Sequence, residues 1–168
     1  MTDTRLETAR LSLRPLPVAA GLLLQEDRGA AAAMIGASLA LDWPLADLLD
    51  ALPAQAAATS GAEPFGIWVM IEAATGTVVG DIGFMGQPDA DGAIEMGYSV
   101  VPDRRRRGYA GEALAPMLAW AAQQPGVRTV TARCDPDKEA SIHILRGAGF
   151  VRVGDVDGLA GWTLRVGS

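Results

Sequence analysis

Cysteine, histidine and aromatic residues are what this 168-residue chain has least of: one Cys, one His and 5% Phe, Trp and Tyr together. Cys134 is alone, so no internal disulfide is possible, and no zinc cluster or other metal site is expected. Positive charge is also scarce. Fourteen Lys and Arg stand against 20 Asp and Glu, a net charge of −6 with a pI near 4.7, which argues against generic binding to nucleic acid or an anionic membrane. No uninterrupted apolar run approaches the ~18 residues of a membrane span. Residues 1–10 carry charges and lack the apolar stretch of a secretion signal. These absences lead to the expectation of a soluble cytoplasmic protein. The length suits one compact domain over residues 1–168, and 49% hydrophobic residues are enough for a large core.

Against the acidic whole stands a local reversal, Arg104-Arg105-Arg106-Arg107, followed by Gly108-Tyr109-Ala110. A β-like run ending Tyr98-Ser99-Val100-Val101-Pro102 precedes it, and a segment with helical spacing follows. A strand, a basic turn with a glycine and a helix amino-terminus together suit a phosphate-bearing ligand. The first amides of a helix have no internal partner, the dipole places partial positive charge there, and glycine lets the backbone come close. The competing reading, a nucleic-acid patch, sits badly with the acidic whole. A nucleoside triphosphatase is excluded because no Gly-Lys-Ser/Thr follows the glycine.

The remaining pattern predicts strands at residues 11–14, 65–71, 78–84, 93–101, 127–134, 150–153 and 162–166. Thr75-Gly76, residues 87–92 and Asp157-Gly158 read as turns between strands. Residues 18–53, rich in Ala and Leu and broken by glycines and Pro44, read as two or three short helices, with residues 54–61 a loop or frayed helix end. Residues 108–122 carry apolar side chains on one helical face, with Pro116 inside, and residues 139–146 form a short helix ended by Gly147-Ala148-Gly149. The order β, helices, βββ, α, β, α, ββ indicates a mixed α/β sheet with helices packed on it.

Four landmarks now come in order: Glu7 to Pro15, Val79-Gly80-Asp81-Ile82-Gly83-Phe84 with Ile94-Glu95-Met96-Gly97-Tyr98, Arg105-x-x-Gly108-x-Ala110, and Asp135 to Ser141 followed by Leu145 and Gly149-Phe150. With them the chain resembles the GNAT superfamily of N-acetyltransferases, in the RimJ/RimL-like branch of ribosomal-protein N-terminal acetyltransferases. The resemblance covers nearly the whole chain. It implies an α/β (α+β) fold: a mixed, mostly antiparallel seven-stranded sheet, helices on both faces, and a splay between the fourth and fifth strands. It implies acetyl-CoA as co-substrate. The backbone of Arg105, Arg106, Arg107, Gly108, Tyr109 and Ala110 would hold the coenzyme pyrophosphate. Ser99, Val100 and Val101 would meet the pantetheine arm, and Ser141 matches a position that faces it. Lys138 stands where this branch usually carries Asn, and is counted with the cofactor contacts. Leu145 stands where many members carry the Tyr that protonates the leaving thiolate. Trp43-Pro44 would line the acceptor groove.

Acetyl transfer to an amine requires a neutral amine, donors for the developing oxyanion and an acceptor held against the carbonyl. It needs no covalent intermediate, so the lack of a Ser-His-Asp pattern is no objection. Glu95 is the first candidate base: a carboxyl on a central, otherwise apolar strand, whose burial would raise its pKa. Its other reading is a carboxylate satisfied across strands. Glu112, one turn into a helix, is the second candidate, and its placement is also explained by the dipole. Ser141 and Tyr98 complete the catalytic candidates, Tyr98 as a donor to the thiolate or as core. His143 reads as a surface residue and Cys134 as a small buried one. The expected function is an N-acetyltransferase acting on a protein N-terminus or a small amine, as a monomer or homodimer. The alternative is a non-catalytic acyl-CoA-binding or sensing module.

Overall fold

The structure is a computed structural model and describes residues 4–59 and 61–167. Among the described residues nine strands build one sheet: β1 (Leu6–Glu7), β2 (Leu11–Pro15), β3 (Ser38–Leu39), β4 (Ile67–Glu72), β5 (Thr77–Phe84), β6 (Ala93–Val100), β7 (Thr129–Cys134), β8 (Val151–Val156) and β9 (Leu159–Arg165). Their spatial order is β1-β2-β4-β5-β6-β7-β9-β8, with β3 paired beside β5. All pairings are antiparallel except β3–β5 and β6–β7. The described residues also form five α-helices: α1 (Val18–Leu23), α2 (Arg28–Ile35), α3 (Ala46–Thr59), α4 (Tyr109–Ala122) and α5 (Glu139–Gly147).

The fold expected from the resemblance is present, with two differences. The two added strands, β1 and β3, are two residues each, too short for any alternation to be visible. Residues 54–59, expected as a loop or frayed end, instead continue α3 past Pro53. Proline removes one donor there, and the alanines that follow have high helix propensity. α2 ends as expected at Gly36 (φ 80°) but runs through Gly29, and the Asp27 side chain caps its start by accepting from the Ala30 amide.

Register sorts the side chains onto two faces, because successive residues of a strand point oppositely. Trp68, Ile82 and Tyr98 share the first face, and Val69, Asp81 and Ser99 the second. α4 covers the first face. Its Trp120 stacks on Phe84 at 5.5 Å and meets Trp68 and Phe65 edge-on at 5.6 and 5.2 Å. Trp43, on the segment leading into α3, is fully buried against the second face. The core lies in these two layers and includes Leu11, Leu13, Met70, Ile82, Met96, Leu114 and Met117.

Candidate active site

β6 and β7 pair in parallel only from Ala93–Thr129 to Met96–Ala132. Residues 97–100 stay on β5 while β7 parts from them, which opens a gap. The ladder fixes what faces it. Met85 donates to the Glu95 carbonyl and Val101 to the Val79 carbonyl, both at 2.9 Å, so odd-numbered backbone groups of β6 are turned to β5. Tyr98 and Val100 therefore turn theirs to the gap. Of the three residues expected to meet a pantetheine arm, Val100 alone presents its amide there; Ser99 and Val101 are engaged with β5. The Val100 carbonyl accepts from Arg105 Nε at 2.8 Å.

The basic loop divides its arginines between two tasks. Arg104 Nε donates to Glu72 at 3.0 Å, and Arg105 is tied to Val100. Glu72 is buried, and also accepts from the Tyr109 hydroxyl at 2.7 Å and from Thr75 at 2.8 Å. The Tyr109 bond, with those of Thr75 and Arg104, holds its carboxyl below the ordinary range despite burial. Arg106 and Arg107 are exposed, and among the described residues neither guanidinium forms an ion pair. Arg106 (φ 64°) and Gly108 (φ 81°) both adopt left-handed backbone. α4 then begins with no side-chain cap, leaving its first amides open. A Cβ added to Gly111 would meet nothing within 4 Å, so the space beside the first turn of α4 is open.

On the first face Tyr98, Ser141 and Cys134 come together where the gap opens. Ser141, in the first turn of α5, is buried. The Tyr98 hydroxyl is also buried and completes no hydrogen bond of good geometry. Burial raises the Tyr98 pKa, nearby Ser141 offsets part of that effect, and the Cys134 sulfur adds to it. Cys134 is half-buried at the end of β7, not fully buried as expected. Leu145 is buried in the core. Lys138 and His143 are exposed on α5 and its start.

The second face holds the carboxylates. Glu95 is not the buried carboxyl that was expected: its side chain is 27% exposed and is clasped by Arg133 through bonds of 2.7 and 3.2 Å. Strand pairing explains this, since Thr131 lies opposite Glu95 and Arg133 is the next residue of β7 on that face. Glu112 is remote from this cluster. It accepts from Thr8 Oγ1, from the Arg10 amide at 2.9 Å and from Arg10 Nε at 2.7 Å. Burial pushes its pKa up, but these bonds outweigh it and the net shift is down. Arg10 also donates to the Arg107 carbonyl at 2.8 Å and lies over the Tyr109 ring. Glu112 thus ties the β1–β2 turn to the basic loop.

The buried carboxyl of this face is Asp81, which sequence reasoning passed over. It is 6% exposed and accepts from Trp43 Nε1 at 2.9 Å and from Ser99 Oγ at 3.0 Å. Burial pushes its pKa up to about 6, with the two bonds opposing. The signal was present, an Asp in the middle of Val78-Val79-Gly80-Asp81-Ile82-Gly83-Phe84, but its partner Trp43 lies 38 residues away.

Known proteins share this architecture. The family description "Acetyltransferase (GNAT) domain" matches residues 10–151. The uncharacterized N-acetyltransferase YjdG of Bacillus subtilis (strain 168) is 30% identical over 149 residues, 87% of this chain and 89% of that protein. A GnaT-family acetyltransferase from Bordetella pertussis superposes with a TM-score of 0.67 at 23% identity, covering 96% of this chain and 98% of the other. RimL, the ribosomal L7/L12 alpha-N-protein acetyltransferase in complex with coenzyme A, superposes with a TM-score of 0.70 at 15% identity, covering 97% and 98%. The last two likenesses speak for the fold alone. Among the described residues no helix is long and apolar enough to cross a membrane. By its domain match and its likeness to YjdG, the chain belongs to the GNAT acetyltransferase family, whose members are acyl-CoA-dependent acyltransferases.

Proposed function

We propose that this protein transfers an acetyl group from acetyl-CoA to a primary amine by direct attack in a ternary complex, and that the amine is a protein N-terminus or a small amine. One observation carries the reading: the gap between β6 and β7, with the Val100 amide turned into it, is next to an uncapped helix N-terminus with two uncommitted arginines. Arg106, Arg107 and the open amides at the start of α4 bind the diphosphate. The Val100 amide, aimed at the gap, donates to the thioester oxygen as it becomes negative. Tyr98 is protonated through the neutral range at its ordinary pKa near 10, which burial raises further, and it supplies the leaving sulfur with a proton, with Ser141 orienting it. That fills the role Leu145 cannot. Ser141 and Lys138 flank the coenzyme arm at the start of α5, and Glu95, with its exposed edge, draws a cationic amine toward the second face.

The likeness to RimL supports an α-amine acceptor, since RimL is an alpha-N-protein acetyltransferase. In this chain Cys134 lies at the gap beside Tyr98, where a coenzyme thiol would pass. Incubation with coenzyme A disulfide is expected to add one coenzyme A to Cys134, seen as a mass gain that Cys134→Ser abolishes. The decisive experiment is a thiol-release screen with acetyl-CoA over peptides with free N-termini, polyamines and aminoglycosides. Turnover with an amine is expected. Tight acetyl-CoA binding without turnover on any amine would replace this reading with a sensing module.

A further inference from the structure

We propose that Ser99 and Asp81 form the proton-accepting pair of the reaction, Ser99 taking the proton of the attacking amine while passing its own to Asp81. The inference rests on the acetyl-transfer reading above and deepens it. Ser99 is opposite Asp81 in the β5–β6 ladder and immediately precedes Val100, whose amide opens into the gap. The pair lies on the face opposite Tyr98 and Ser141, so the group that takes a proton and the group that gives one flank the gap from two sides. Ser99 is half-buried and within reach of a ligand, whereas Asp81 is 6% exposed and reachable through Ser99.

The hydrogen bonds fit a proton acceptor. Trp43 Nε1 and Ser99 Oγ both donate to Oδ2 of Asp81, and among the described residues nothing donates to Oδ1. No cation pairs with this carboxylate among the described residues. A neutral amide would satisfy the indole equally well, so the fold alone does not call for an ionisable group there. The other carboxylate of this face, Glu95, is committed to Arg133.

Burial raises the Asp81 pKa to about 6, opposed by Trp43 and Ser99, which sets the group to accept a proton near neutrality. The surroundings are few in charge. β4 contributes Val69 opposite Asp81, and β6 contributes Ser99, with Gly97 and the Arg133-paired Glu95 beyond it. Arg14 lies two strands away opposite Val69. Arg28 donates to the carbonyls of Trp43 and Ala40, and the exposed Asp42 adjoins Trp43.

As the amine nitrogen bonds to the thioester carbon, its proton moves to Ser99 Oγ and the Ser99 proton to Asp81 Oδ2. The C–S bond breaks, the sulfur leaves with a proton from Tyr98, and exchange with solvent returns the Asp81 proton and restores Tyr98.

The test uses the full chain and two readouts. The first needs no acceptor: the Trp43 indole N–H resonance, followed by NMR from pH 4.5 to 8, is expected to titrate near pH 6 in the wild type, at a higher pH in Ser99→Ala, which lacks an opposing bond, and not in Asp81→Asn. The second is kcat against pH, with saturating acetyl-CoA and the best amine from the thiol-release screen. Asp81→Asn and Ser99→Ala are each expected to lose at least tenfold in kcat at pH 7.5 and to lose the acid limb near pH 6, with the KM for acetyl-CoA within twofold. Ser99→Thr is expected to recover most of the rate. A wild-type-like pH profile in Asp81→Asn, or a flat Trp43 resonance in the wild type, overturns the pair and leaves acetyl transfer standing. A wild type that turns over no amine overturns the acetyl-transfer reading, and the pair with it.

Discussion

The two faces of the sheet, compared where β6 leaves β7, treat their ionisable groups in the same way with opposite results. On the first face a phenol, Tyr98, is buried beside Ser141 and Cys134. On the second a carboxyl, Asp81, is buried beneath Trp43 and Ser99. Burial disfavours the charged form of each, so both pKa values rise. The phenol, protonated already at its ordinary value near 10, holds its proton more firmly still. For the carboxyl burial brings the ionisation up to about 6, where a proton can be taken and released near neutrality. In the proposed reaction the carboxyl takes a proton and the phenol gives one, from the two sides of the gap between β6 and β7.

The comparison is most exposed to a measurement of stability. A raised carboxyl pKa means the folded state binds the proton more tightly than the unfolded chain, so the contribution is fully present below the ordinary value near 3.8 and is lost as pH rises through about 6. A shift of this size corresponds to about 3 kcal/mol. Asp81→Asn is therefore expected to match the wild type at pH 3.5 and to be more stable by up to about 3 kcal/mol at pH 8, read from urea midpoints. A variant that gains stability while losing turnover separates a functional carboxyl from a structural one. Equal or lower stability at pH 8 would mean that Asp81 is better solvated than its surroundings indicate.

Next in size is the acid side. Tyr98→Phe removes a hydroxyl that completes no good hydrogen bond, so folding should change little while kcat falls by about 100-fold, the lower range for a general acid. An acetyl donor whose leaving thiol has a lower pKa should recover much of the loss, because its thiolate needs no proton. Unchanged kcat in Tyr98→Phe would move the acid to Ser141 or water.

The basic loop offers a smaller effect and a control. Arg106→Ala with Arg107→Ala is expected to raise the KM for acetyl-CoA by about tenfold, with strong salt dependence and unchanged kcat. Arg104→Ala should instead lower stability, because it strips a donor from buried Glu72. If both changes act on KM alike, the division of the arginines into binding and anchoring groups is wrong.

Some of this was legible in sequence, and physical reasons separate what was from what was not. Strands β4 to β7 were readable because their apolar runs and flanking turns are local, whereas the loop at residues 105–110 is a weak signal alone and gains meaning only from the order of the landmarks around it. The strands β1 and β3 were not, since two residues carry no period. Glu95 was expected to be buried from its apolar neighbours on β6; its actual partner, Arg133, arrives on another strand 38 residues later. Asp81 was quoted as part of a landmark but not as a site, because burial by Trp43 is a fact of tertiary packing. Charges whose meaning depends on a distant partner are the ones a linear reading misplaces.

Glu112 provides the smallest and cleanest contrast, because it is a carboxylate in the first turn of α4, away from the cluster at the gap. Its partners are Thr8 and Arg10, and their hydrogen bonds hold its pKa below the ordinary range against the opposing effect of burial. A lowered carboxyl pKa gives the opposite sign from Asp81: stability is present above the unfolded value and is lost as pH falls through the folded one. Glu112→Gln keeps the shape and loses the charge. It is expected to cost about 1 kcal/mol at pH 7, discounted for the partial exposure of Arg10, and the cost should fade as the solution is acidified. The kcat should stay within twofold, since the carboxylate anchors the β1–β2 turn and moves no proton. A large loss of kcat at full stability would return Glu112 to the list of bases and weaken the case for Asp81. The two carboxylates therefore test each other. Asp81→Asn should stabilise and inactivate, Glu112→Gln should destabilise and leave activity intact, and the pH dependence of the two stability changes should run in opposite directions.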